Sequence, residues 1–418
     1  MIPEAKENHY DLLLSNFAVG LIGWIATSSG IVYFVDDFKG HYYQPGIIVV
    51  LHTFTLLTIS PCILGVLYQL LPVVVEGKLG SRLLAWITSI LWWIGATGFV
   101  LSRLIEPGLM PGFAGLLFLA ILGLIAQLIW TTGKGHWNSS AIQVLIGSVW
   151  LLLMALSGML MASGYYFHVP ALRFVQWHAW TGILGWFSLM ILALGTRLVP
   201  MFILSHGMNE RWARYSGVLL MVSPLLLLPG AISGRAANAA LGFALILAGY
   251  GGFLVYLFQC VRKRMRRRLE APMILFLGSF AFPLIAALFL AVGIFDSGSL
   301  TATIQPYRFA FASVMVMLLG FIGSATLGMG FKILPFMSWM ALQSGARGKQ
   351  VPLPQNIGIS WIASVILWIY PLSVLVLVLG IFWSDAMIAG VLALLLTVGF
   401  YFTYFIHLVL FVLRRRSV

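Results

Sequence analysis

Apolar residues run in long unbroken blocks along this chain, and polar residues are confined to short intervals between them. A helix rises about 1.5 Å per residue and the hydrocarbon core of a bilayer is about 30 Å thick, so a block of about 20 apolar residues predicts one spanning helix. Twelve such blocks occur, near residues 12–34, 46–72, 80–103, 110–131, 142–163, 172–200, 214–234, 238–261, 271–295, 306–335, 357–382 and 386–413. The seventh, RYSGVLLMVSPLLLLPGAISGR, is the weakest, and Pro224 and Pro229 predict a kink in it. The longest connection, 336–356, is too short for a soluble domain. The pattern predicts an all-α integral membrane protein.

Composition agrees: 61% of residues are hydrophobic and 8% charged, where a soluble domain has about 25% charged. The excess of positive charge lies between spans. Of the 24 lysines and arginines, nineteen fall at the termini or after even-numbered spans, and only Lys39, Arg103, Arg173, Arg235 and Arg308 fall on the other side. That bias predicts cytoplasmic termini. It also makes VRKRMRRRLE, residues 261 to 270, an inner-face anchor against anionic lipid and not a nucleic-acid site. The first apolar block has no small-residue cleavage site before it and is read as an uncleaved span. Cys62 and Cys260 fit neither a disulfide framework nor a cysteine zinc cluster. No nucleotide-binding loop or nucleophile elbow stands out.

Three segments end alike: GVLYQLLP at 65–72, ALGTRLVP at 193–200 and GMGFKILP at 328–335. Each has a small residue seven before the proline and a polar or basic residue three before it. Pro72, Pro200 and Pro335 recur at a nearly constant interval, which is the length of four spans. The chain therefore reads as one transmembrane domain, 1–418, of three four-helix units at about 1–135, 136–265 and 266–418. The prolines are expected to mark the cytoplasmic ends of spans two, six and ten. Gln69, Arg197 and Lys332 are expected to snorkel toward that interface, and the small residues to admit close helix neighbours.

His52 stands roughly 30 Å from Pro72 along an ideal helix, and His178 stands at nearly the same remove from Pro200. Both are placed toward the outer face. The third copy has no histidine from 306 to 335, and Arg308 stands at its outer end. An ionisable side chain within a membrane helix is by default a functional candidate, and neutral imidazole suits haem iron or copper. The plainer alternative is a hydrogen bond to a neighbouring helix; both readings stand. His168 with Met159 and Met161 offers a soft copper site, against methionine as core filler. His9, His41, His136, His206 and His407 read as surface or interface residues.

Twelve spans, three pseudo-equivalent four-helix units and histidines on spans two and six resemble the catalytic subunit of haem-copper oxidases and nitric oxide reductases. LHTFTLLTISPCILGVLYQLLP and QWHAWTGILGWFSLMILALGTRLVPMF are similar to divergent, shorter relatives of that superfamily, including NnrS-type proteins. The resemblance implies a subunit I-like fold of three pseudo-threefold four-helix arcs. It matches His52 to a low-spin haem ligand and His178 to a copper ligand. Spans seven and ten lack the histidines that would complete the binuclear centre, so oxidase or reductase turnover is not expected. The reduced site it leaves is a haem between His52 and His178, with Arg308 or Arg173 for the propionates. Three functions follow in order of preference. The first is haem or copper binding for nitric oxide response, redox response or cofactor handling. The second is a cofactor-free structural or assembly partner of a respiratory complex; the partners expected besides the bilayer are other respiratory or haem-handling membrane proteins. The third is a transporter, disfavoured because carriers usually show two inverted halves. A bacterial cytoplasmic membrane is the expected location.

Overall fold

In the computed structural model, residues 9–167, 172–233, 236–295, 305–344 and 350–416 are described. They form twelve helices long and apolar enough to cross a membrane, with no strand among them. We label these α1 (Tyr10–Tyr33), α2 (Pro45–Val74), α3 (Arg82–Ile105), α4 (Pro107–Gly133), α5 (Ser139–Gly164), α6 (Phe174–Ile203), α7 (Arg211–Pro229), α8 (Ala244–Arg262), α9 (Ala271–Gly293), α10 (Tyr307–Gln343), α11 (Ser360–Leu379) and α12 (Ser384–Arg415). All twelve expected spans are present, and α7 is the least apolar. The protein is an integral membrane protein by this measure.

Burial separates the repeat helices from the rest. In α2, α6 and α10, 67%, 83% and 83% of the apolar window is buried, against at most 56% elsewhere. Their blocks are no more apolar than those of the less buried helices, so apolarity in the sequence does not single them out.

The chain forms two compact units. One comprises Met1–Gln69, Leu269–Ser279 and Gly323–Val418. In it α1 packs along the middle of α2, and α11 pairs with α12. Trp24 of α1 sits edge-on to Phe54 and Tyr370, with ring centroids at 5.2 and 5.6 Å. Segment Ala271–Ser279 of α9 lies against α10. A Cβ at Gly328 would stand 2.7 Å from the Pro272 carbonyl oxygen, so only glycine permits that approach.

The other unit comprises Leu70–Arg268 and Phe280–Ile322. Its pairs are α3 with α4, α4 with α5, α5 with α6, and α7 with α8. Phe280 centres an aromatic cluster with Phe253 (5.3 Å) and Phe321 (5.0 Å). Helix α9 is interrupted at residues 280–281, just before Pro283, whose ring cannot sit over the preceding carbonyls in a regular helix.

The repeat prolines do not end their helices. Helix α2 runs two residues past Pro72, α6 three past Pro200 and α10 eight past Pro335. A proline near the C-terminal end costs a single internal hydrogen bond, so the last turn can still close around it. In α2 and α6 the stop comes four residues after the proline, at Glu76 (φ 55) and Leu204 (φ 54). The next residue then bonds back: Gly77 N–H to the Pro72 carbonyl at 2.8 Å and Ser205 N–H to the Pro200 carbonyl at 3.0 Å. This left-handed residue with a six-to-one bond is a Schellman stop.

Neither do the polar residues before the prolines simply snorkel. Gln69, 5% exposed, accepts the His9 N–H at 2.9 Å. Arg197 pairs with Glu210 at 3.0 Å, and Lys332 with Glu270 at 2.6 Å. Burial near helix ends makes a partner cheaper than reaching for water. His9 is itself buried, which leaves the interface reading of the two given for it.

Candidate functional site

Each repeat helix contains one π-helical stretch: Thr53–Ile59 in α2, Thr181–Ser188 in α6 and Val316–Gly323 in α10. All three begin at the same register relative to the repeat proline, Thr53 standing to Pro72 as Thr181 stands to Pro200 and Val316 to Pro335. A π turn closes i→i+5 bonds and is poorer than α-helix, and it concentrates at functional sites. Hydroxyls fit its wider spacing. Ser60 Oγ donates to the Thr55 carbonyl and Ser188 Oγ to the Ile183 carbonyl, each at 2.7 Å and five residues back. The two serines also hold one register, Ser60 standing to Pro72 as Ser188 stands to Pro200. The third copy has Gly323 there, and the Tyr370 hydroxyl of α11 occupies the space a Cβ would take.

Neighbours press closely on these turns. In the first copy the turn's Leu57 and Thr58 carbonyls face Gly23 and Gly20 of α1; a Cβ at Gly20 would be 2.9 Å from the Thr58 oxygen. In the second, Gly185 of the turn lies under Trp150, 2.8 Å from where its Cβ would be. In the third, Gly320 lies under the Phe282 ring.

His52 is the last residue before the first π stretch and is half-buried. Its Nδ1 is 2.8 Å from the Ile48 carbonyl oxygen. A carbonyl only accepts, so Nδ1 carries the proton and Nε2 is the basic nitrogen of the neutral ring. His178 stands three residues before the second π stretch, also half-buried. Its Nδ1 is 3.0 Å from the Met154 carbonyl oxygen and 3.1 Å from Ser157 Oγ on α5. The same tautomer follows. Gly158 makes room: a Cβ there would lie 2.9 Å from His178 Cε1. Gly182, one turn after His178, in turn faces Met154 Sδ, 2.6 Å from where its Cβ would be.

In register with the prolines, Met315 stands where His52 does and Ser313 where His178 does. Ser313 Oγ donates to the Ala286 carbonyl at 2.9 Å. Serine therefore performs in the third copy the same helix-to-helix bond that His178 makes in the second.

The other sequence candidates are placed as follows. Arg308 is the third residue of the helical segment Pro306–Met315 and is half-buried. Arg173 is the second residue of the segment Leu172–Trp180, but its side chain lies outside the described residues, as does His168 altogether. Among the described residues no group of three or more His, Cys, Asp or Glu converges as a metal cluster would.

Two residues of the second π stretch escaped the sequence reading. Thr181 Oγ1 and Trp186 Nε1 are fully buried and make no hydrogen bond among the described residues. An unmet buried donor costs about 1–3 kcal/mol. The signal in sequence is slight: a Thr and a Trp in an otherwise apolar helix.

Fold and side chains together define a twelve-helix integral membrane protein whose three most buried helices are versions of one π-interrupted helix. No protein-family model matches the chain, and no curated protein matches it.

Proposed function

We propose that this is a subunit I-like member of the haem-copper oxidase superfamily, related to NnrS-type proteins, that binds haem or copper for nitric oxide response, redox response or cofactor handling. One observation carries the reading. In two of the three repeats a histidine lies within three residues of a π stretch and donates its Nδ1–H to a backbone carbonyl, the hydrogen bond that orients a metal-ligating imidazole. The residues fit the group in donor chemistry, and the unmet buried donors of Thr181 and Trp186 in the second π stretch are suited to a polar ligand atom. His52 and His178 are the ligand candidates, with Arg308 and Arg173 for carboxylates of the cofactor. Bound iron or copper would supply redox or gas-binding chemistry. The chain's own part is to hold each Nε2 in its basic form and to exclude water around it. Membership also implies three four-helix arcs, cytoplasmic termini and a bacterial cytoplasmic membrane.

A second reading, a cofactor-free structural or assembly partner of a respiratory complex, is favoured by Ser313: its bond to Ala286 shows that the register position of His178 can serve packing alone. Purified protein expressed with adequate haem supply separates the two. A Soret band and iron or copper content lost in His52→Ala or His178→Ala supports the first. A native protein without either, co-purifying with oxidase subunits, supports the second and sinks the first.

A further inference from the structure

We propose that the α7–α8 end of the second unit is a binding site for the headgroup of an anionic phospholipid. Two chain segments are pinned together there. The Met265 N–H donates to the Leu204 carbonyl at 3.0 Å, Ser205 bridges to Arg264, Asn209 N–H donates to Gln259 Oε1 at 3.0 Å, and Lys263 donates to the Gly207 carbonyl. The basic run is therefore a fixed loop and not a floating tail.

Fixing it gathers charge. Arg211 and Arg214 on the first turn of α7, Arg262 at the end of α8, and Arg267 and Arg268 beyond it are all exposed. Among the described residues these five make no ion pair, because the nearby acid, Glu210, is engaged by Arg197. The second observation is apolar. Trp212 (41% exposed) and Tyr215 (50%) stand beside the arginines on α7, edge to face at 6.4 Å, and Phe258 (64%) stands on the last turns of α8.

A nucleic acid or a free anion would satisfy the arginines and make no use of the rings. A phospholipid satisfies both, since indole and phenol rings favour the headgroup level and each arginine near an anionic surface contributes about 1 kcal/mol, or about fivefold in binding. The occupant is therefore a lipid, whether or not a cofactor binds at the histidines.

Delipidated protein in detergent is incubated with equal phosphatidylglycerol and phosphatidylcholine, and retained lipid is counted by native mass spectrometry. Phosphatidylglycerol should be retained at least about fivefold over phosphatidylcholine. R211Q/R214Q/R262Q should reduce that ratio severalfold. R211K/R214K/R262K, which keeps the charge and guards against a folding defect, should preserve it. Equal retention of both lipids by the native protein, an unchanged ratio in the glutamine variant, or complete displacement by inorganic phosphate would each overturn the proposal.

Discussion

The first two repeat helices and the third differ in four places, and all but the histidines fall at matching registers. Copies one and two carry a histidine before the π stretch, a serine within it or at its edge that donates five residues back, and a left-handed Schellman stop four residues after the proline. They also share a clamp beyond the stop. At the same register after the proline, the backbone N–H of Ser81 is accepted by Gln127 of α4 and that of Asn209 by Gln259 of α8, at 3.1 and 3.0 Å. A lysine follows each glutamine helix: Lys134 donates to the Gly80 carbonyl and Lys263 to the Gly207 carbonyl. Copy three has Met315 and Ser313 for the histidines and Gly323 for the serine, and it runs straight on to Gln343. What all three keep is the π stretch and the polar residue before the proline. The shared frame is therefore separable from the histidines, which belong with the more elaborate pair.

The largest break in this comparison is expected at the π stretches, where neighbours have no slack. Gly23→Ala would drive a methyl into the Leu57 carbonyl, and backbone on both sides cannot move as a side chain would. Overpacking costs typically 1–3 kcal/mol and sometimes more, so a loss of about 3 kcal/mol is expected in detergent unfolding. Gly323→Ser is expected to cost about 2 kcal/mol, because it inserts the serine of copies one and two into space already held by Tyr370. If the tyrosine hydroxyl replaces that serine, adding Tyr370→Phe should restore more than half of the loss, since the remaining ring carbon Cζ is 3.1 Å from the new Cβ. A double variant no better than the single one would show that the two hydroxyls are not equivalent.

The glutamine clamps should come next. Gln127→Leu or Gln259→Leu leaves a backbone N–H without its acceptor, at a cost of about 1–2 kcal/mol each. The site at Ser81 is half-buried and that at Asn209 more open, so Gln127→Leu should be the costlier. Thermal midpoints of the two variants measured side by side decide it, and a larger loss at Gln259 would contradict the burial argument.

How much of this was legible beforehand depended on whether a feature has a residue signature. The twelve spans follow from length and apolarity alone, and the repeat from three prolines with their polar neighbours. The π stretches left no trace, because a helix buried on all sides has no stripe whose slippage could reveal an extra residue per turn. Glu76 and Leu204 hid the helix stops, since a left-handed stop is normally announced by Gly or Asn. The serines at 60 and 188 were readable in principle, being spaced as Pro72 and Pro200 are. Of the candidate site, the histidines are visible in the sequence as candidates, while the carbonyls that fix their tautomer belong to residues whose side chains carry no message.

The smallest effect is also the cleanest, because it changes sign between copies. A non-glycine residue in the left-handed region costs about 1–2 kcal/mol, whereas glycine inside a helix costs about 1 kcal/mol relative to alanine. Compare alanine with glycine at the position four after each proline. At Glu76 and Leu204, both of positive φ, glycine should be the more stable by about 1 kcal/mol. At Trp339, which is helical, alanine should be the more stable by a similar amount. Using alanine as the reference removes the side chain from the comparison, leaving only backbone preference. Unfolding midpoints for the six variants would then read the conformation of each position directly. Glycine stabilising all three would mean that the third helix also stops after its proline, and would erase the distinction between the copies at this end.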